Sequence, residues 1–171
     1  EQAIYAGSID ESGFIGVTVR SDGPCRVIVT FDELLDESGD INFRRLGCGD
    51  ILEWKLEKGG THALESFEPY AGKYVGVMVM EGAAEVTDVA VRTYKSPAAD
   101  RASFKASDPA LEKIFLAARE SFRANAVDSL TDCPIRERSC WTGDTFFTGR
   151  GAGWLTGEPS SERLFLENFL M

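Results

Sequence analysis

Positive charge, histidine and long apolar runs are all scarce in this sequence. Its 171 residues hold 18 Lys plus Arg against 28 Asp plus Glu, a net charge of -10. A chain this acidic repels phosphate backbones and anionic lipid, so neither nucleic acid nor a membrane surface is an expected partner. No run approaches the ~18 apolar residues of a spanning helix, so no membrane insertion is expected. No basic n-region followed by an apolar h-region opens the chain. The single histidine is His62, and no two of Cys25, Cys48, Cys133 and Cys140 are spaced as CxxC. That pattern lacks the ligand spacing of a zinc site, so no metal is expected, and the cysteines read as reduced, structural thiols. No internal repeat is visible. The chain begins at Glu1 rather than Met and stops at Met171 inside the apolar run LFLENFLM, so it is expected to be a piece of a longer polypeptide. The compartment and the oligomeric state stay open, a homo-oligomer included.

What is present is globular: 43% of residues are hydrophobic and 11% aromatic. The first part reads as strands. GFIGVTVR (13–20) and CRVIVTFDELL (25–35) are rich in β-branched and aromatic residues, with the turn SDGP between them. DILEWKLEKGG (50–60) alternates Leu52, Trp54 and Leu56 against charged neighbours, the pattern of a half-buried strand. KYVGVMVMEG (73–82) is nearly all apolar and suits a central strand, and EVTDVAVRTY (85–94) alternates again. These features predict an antiparallel β-sandwich over residues 1–97. His62 falls at a turn or an edge, and Trp54 and Trp154 are expected in a core or a domain contact.

A join over 98–108 follows, rich in Ala, Ser, Asp and Pro, and then the period changes. Asp108-Pro109 is a helix start, with Asp108 as N-cap and Pro109 where a missing N–H costs nothing. Leu111, Ile114, Phe115, Ala118 and Phe122 recur at helical spacing, which predicts an amphipathic helix over 109–125. A second helix is expected over 144–155 despite Gly149, Gly151 and Gly153, and a third after Glu158-Pro159 with Leu164, Phe165 and Phe169 on one face. Helices so few cannot close an all-α domain, so their apolar faces need partners from elsewhere.

The densest chemistry lies in DCPIRERSCWTGD, residues 132–144. Read plainly, Asp132 caps a turn, Arg136, Glu137 and Arg138 are solvated charges, and Trp141 is core. Read functionally, three carboxylates (Asp132, Glu137 and Asp144) beside two arginines and a tryptophan suit a carbohydrate pocket. Carboxylates grip hydroxyls, an indole face packs on the C–H side of a sugar, and a glutamate supplies a proton. Glycoside hydrolysis needs two carboxyl groups flanking the scissile bond.

This motif resembles the signature of bacterial α-L-rhamnosidases of glycoside hydrolase family 78, roughly DCP-x-RER-x-x-W-x-GD. The match runs from Asp132 through Arg138 and over Trp141, Gly143 and Asp144. Phe31-Asp32-Glu33, Phe67-Glu68-Pro69-Tyr70 and Phe104 to Pro109 also resemble features of that family. Ile135 and Ser139-Cys140 depart from its commoner residues. The resemblance implies a β-sandwich followed by the first helices of an (α/α)6 barrel starting within 109–171. It implies inverting hydrolysis of terminal α-L-rhamnosyl residues without a cofactor, on a rhamnose-containing glycoside or polysaccharide. By the motif, Glu137 is the counterpart of the general acid, and Asp132, Arg136, Trp141 and Asp144 are substrate-binding positions. The general base lies downstream of these residues, on the rest of the parent polypeptide. The competing expectations are a non-catalytic carbohydrate-binding or structural sandwich module and a six-hairpin glycosidase acting on another sugar.

Overall fold

A computed structural model describes residues 2–170. The chain divides into two compact units, Glu1–Thr93 and Tyr94–Met171.

The first unit is built from β1 (Gln2–Ser21), β2 (Cys25–Asp32), β3 (Ile51–Leu56), β4 (Gly60–Glu65), β5 (Tyr70–Glu81) and β6 (Ala84–Thr93). Every pairing is antiparallel, in the order β3-β2-β5-β1-β4, with β6 also on β1. β1 makes this arrangement. Its beginning pairs with β5, from Gln2 opposite Met78 to Gly13 opposite Tyr70. Its end, Gly16–Ser21, runs between β4 and β6. Gly13 sits at the crossover, paired with both Tyr70 and Thr93. A Cβ there would lie 2.3 Å from the Arg92 carbonyl oxygen, so a glycine is required where the backbones close in.

The sheet curls, and its two parts enclose one core. Ile15, Val17 and Val19 from β1 pack with Val27, Val29 and Phe31 from β2 and Val75 and Val77 from β5. Two layers are what the strand pattern predicts, but here they belong to one hydrogen-bonded sheet, because β1 is long enough to serve both. Leu52, Trp54 and Leu56 pack against this core, as their alternation predicts. β5 lies between β2 and β1, as its apolar run predicts, yet only Val75, Gly76 and Val77 of its latter half are buried and Met80 is exposed. Two stretches form strands beyond those that the sequence pattern predicts: the start of β1, where apolar residues are sparse, and β4. His62 therefore lies in a strand at the end of the sheet order, with Nε2 3.0 Å from the Lys58 carbonyl oxygen.

The second unit opens with a 3-10 turn, Pro97–Arg101, followed by α1 (Pro109–Asn125), α2 (Thr142–Thr156) and α3 (Ser160–Glu167). The expected join is thus partly structured, and Ala99 within it is fully buried. Asp108 caps α1 by accepting the Ala110 N–H at 2.8 Å. The core of this unit is small: Ala99, Phe122, Ala126, Leu130, Ala152 and Phe165.

α2 turns a stripe of small residues inward, namely Thr145, Gly149, Ala152 and Thr156, and Gly149 lets Glu162 of α3 come close. Phe146, Phe147 and Trp154 are exposed. Trp154, expected in a core or domain contact, is 89% exposed and belongs to neither core of the chain. The small residues on the inward face of α2 let its neighbours pack close, which leaves no room there for an indole. Of the apolar positions read as the inner faces of α1 and α3, Phe122 and Phe165 are buried, while Leu111, Ile114, Leu164 and Phe169 are exposed.

Candidate active site

The motif occupies the connection between α1 and α2. Where α1 ends, the Thr131 N–H donates to the Asn125 carbonyl at 2.9 Å, and Ala126 bridges to Leu130. These contacts turn the chain back and deliver Asp132 to the base of a loop. Asp132 and Ser139 then close the loop reciprocally. The Asp132 N–H donates to the Ser139 carbonyl at 3.0 Å, and the Ser139 N–H donates to Asp132 Oδ1 at 2.8 Å. Ile135, in between, is buried. Arg138 adopts a left-handed backbone at φ 50°, a conformation that costs a non-glycine residue about 1 kcal/mol and needs its surroundings to hold it.

Glu137 stands on the outer side of this loop, with 39% of its side chain exposed. Both carboxylate oxygens have donors. Arg136 Nη2 donates to Oε1, and Trp141 Nε1 donates to Oε2 at 2.9 Å. Trp141 is itself fixed because it occupies the N-cap position of α2, where its carbonyl accepts from both the Thr145 N–H and the Thr145 hydroxyl. Beneath Glu137, its backbone N–H donates to Cys133 Sγ at 3.2 Å.

The fold thus joins Arg136, Glu137 and Trp141 directly, and ties Asp132 to them through Ser139, whose hydroxyl donates to the Glu137 carbonyl at 3.2 Å. Asp144 lies in the first turn of α2, exposed, and among the described residues it enters neither set of contacts. Cys133, Ile135 and Ser139, which shape the loop, were not singled out as functional in the sequence; Ile135 and Ser139 there stand only as departures from a motif. All four cysteines are free thiols. Among the described residues no cluster of His, Cys, Asp and Glu is arranged to hold a metal ion.

Burial pushes the Asp132 carboxyl up, but the Cys133 thiol and the Ser139 N–H outweigh it and hold the group below its ordinary range. A depressed carboxyl stabilises the fold above its unfolded pKa and loses that contribution as pH falls through the folded value. The loop is therefore expected to keep its closure at neutral pH and to loosen only in acid. Asp132→Ala is expected to cost about 1–2 kcal/mol in urea unfolding and to speed hydrogen exchange of the Ser139 amide. An unchanged exchange rate would show that the carboxylate does not hold the loop.

Residues 99–160 match the family model described as the bacterial alpha-L-rhamnosidase 6 hairpin glycosidase domain. No curated protein matches the chain in sequence. Among solved structures, a GH78 family rhamnosidase of Bacillus sp. GL1 superposes with a TM-score of 0.81 at 20% identity, over 95% of this chain and 17% of that one. A rhamnosidase from Klebsiella oxytoca with rhamnose bound gives 0.74 at 17% identity, over 97% of this chain and 35% of that one. The α-L-rhamnosidase from Dictyoglomus thermophilum gives 0.73 at 19% identity, over 97% of this chain and 19% of that one. The chain spans between 17% and 35% of the length of these proteins. Identities this low carry the fold alone, and the family match falls on the segment that holds the motif.

Proposed function

We propose that the chain supplies the sheet unit and the opening helices of an inverting α-L-rhamnosidase, with Glu137 as general acid. The observation that carries this reading is the loop geometry. Within the matched segment, one glutamate is presented outward, with both oxygens oriented by the motif's own arginine and tryptophan. In the reaction, the protonated Glu137 donates to the glycosidic oxygen as the bond to the sugar breaks. A second carboxylate, from outside these residues, activates water on the opposite face, about 6.5–9.5 Å from the first. Asp132, Arg136, Trp141 and Asp144 contact the sugar.

The exposed faces of the helical unit favour the same reading. Leu111 and Ile114 of α1, Phe147 and Trp154 of α2, and Leu166 of α3 are the kind of apolar surface that further barrel helices bury. On this reading residues 1–97 form the sandwich-type domain, 98–108 the link and 109–171 the start of an (α/α)6 barrel. The longer protein containing this chain is expected to hydrolyse an aryl α-L-rhamnoside and release rhamnose of inverted anomeric configuration, as read by NMR during turnover. The 171 residues alone are expected to hydrolyse nothing, because the second carboxylate is missing. Retention of configuration would overturn the mechanism, and preference for another aryl glycoside would overturn the sugar.

A further inference from the structure

The loop that presents Glu137 is held from beneath by a sulfur atom. Cys133 Sγ accepts the Glu137 backbone N–H at 3.2 Å, across one turn of chain. Asp132, the residue before it, closes the same loop by accepting the Ser139 N–H at 2.8 Å. Sulfur therefore acts as an acceptor between the base of the loop and the backbone of the residue at its rim. A thiol donates weakly and accepts weakly, and its large radius suits contacts longer than those of a hydroxyl. The neighbouring backbone needs such a support, because Arg138 is held in the left-handed region immediately after Glu137. The contacts above the carboxylate, from Arg136 and Trp141, orient its oxygens but do not fix its Cα.

We infer that Cys133 is a positioning residue for the acid. Its sulfur holds the Glu137 amide and so sets the height and direction from which the Glu137 carboxyl reaches the glycosidic oxygen. The catalytic part of this inference rests on the function proposed above; the contact itself does not. Cys133 touches no reacting atom. Its removal displaces the acid rather than abolishing it, and a displacement of about 1 Å costs up to about 10²-fold in rate.

The test is a pair of substitutions, Cys133→Ala and Cys133→Ser, in the longer protein that contains this chain. Two readouts are needed: kcat and KM on an aryl α-L-rhamnoside, and hydrogen exchange of the Glu137 amide. Cys133→Ala is expected to lower kcat about 10–10²-fold with KM changed less than about threefold. Serine, whose hydroxyl also accepts, is expected to restore most of kcat. The Glu137 amide is expected to be protected in the parent and serine forms and to exchange faster in the alanine form. Equal kcat in all three forms overturns the positioning role. So does a fall that serine does not reverse, since a hydroxyl can also accept the Glu137 amide. Should no form hydrolyse a rhamnoside, the functional proposal fails. The amide exchange then decides the contact separately: equal rates in parent and alanine forms remove it, and slower exchange in the parent keeps it.

Discussion

Glu137→Gln, made in the longer protein, is expected to lower kcat on a rhamnoside with an alkyl leaving group by about 10²–10⁴-fold, the range that positioned proton transfer contributes. The substitution keeps the shape and removes the transferable proton. The expected loss depends on the aglycone. A nitrophenolate leaves without much help, so the defect is expected to be smaller on a nitrophenyl rhamnoside than on an alkyl one. That dependence separates loss of an acid from general damage, which would lower both rates alike. Stability is expected to change little. The glutamine oxygen can accept from Arg136 or from Trp141, but not from both as the carboxylate does, and its NH2 then faces the other donor. With the side chain substantially exposed, water takes up the difference. Near-parental hydrolysis of the alkyl rhamnoside by the glutamine form would remove Glu137 as the acid.

The local parts of the fold were legible in the sequence, and the distant ones were not. Asp108-Pro109 and the spacing through Phe122 place α1 at Pro109–Asn125, because capping and helical period are short-range properties. Leu52, Trp54 and Leu56 likewise show their buried face in the alternation itself. The single curled sheet is different. It depends on β1 changing neighbours at Gly13, and no neighbour of Gly13 in sequence announces Tyr70 and Thr93 as its partners. The motif could be read as a string of residue types, which brought Glu137, Arg136 and Trp141 forward. The pairing of Asp132 with Ser139 and the service of Cys133 under Glu137 are set by loop geometry, which residue types do not encode. Trp154 escaped for a further reason. A large aromatic is ordinarily evidence of a core, but α2 packs within its unit through its smallest residues, so the ordinary inference is reversed there.

The largest stability effect is expected at a pair that no motif pointed to as such. Asp32, at the end of β2, is 0% exposed, yet it is charged and sits where the chain leaves the sheet for the irregular segment 33–50. Its carboxylate accepts the Glu33 N–H at 2.6 Å and takes the Arg45 guanidinium on both oxygens, with Nε 2.8 Å from Oδ2. Arg45 also reaches Glu33 at 3.4 Å, and these carboxylates raise its pKa above the ordinary arginine range. A raised basic group contributes stability at every pH below its unfolded value, so the Arg45 side of the pair stays charged throughout the range in which the protein can be handled. The pair ties the far part of the 33–50 segment to the sheet, beside two backbone bonds, Phe31 N–H to the Asp50 carbonyl at 3.1 Å and Asp50 N–H to the Phe43 carbonyl at 2.9 Å. Arg45→Met leaves a carboxylate enclosed without its cation, and Asp32→Ala leaves the guanidinium and the Glu33 N–H without their acceptor. Each is expected to lower the free energy of unfolding by about 3 kcal/mol, as breaking one side of a buried ion pair does. The double substitution is expected to cost less than the sum of the two, because neither half then leaves an uncompensated charge behind. Urea unfolding of the four forms measures this directly. Single losses below about 1 kcal/mol, the range of an exposed ion pair, would mean that solvent already screens the contact, and strict additivity would mean that the two side chains act apart.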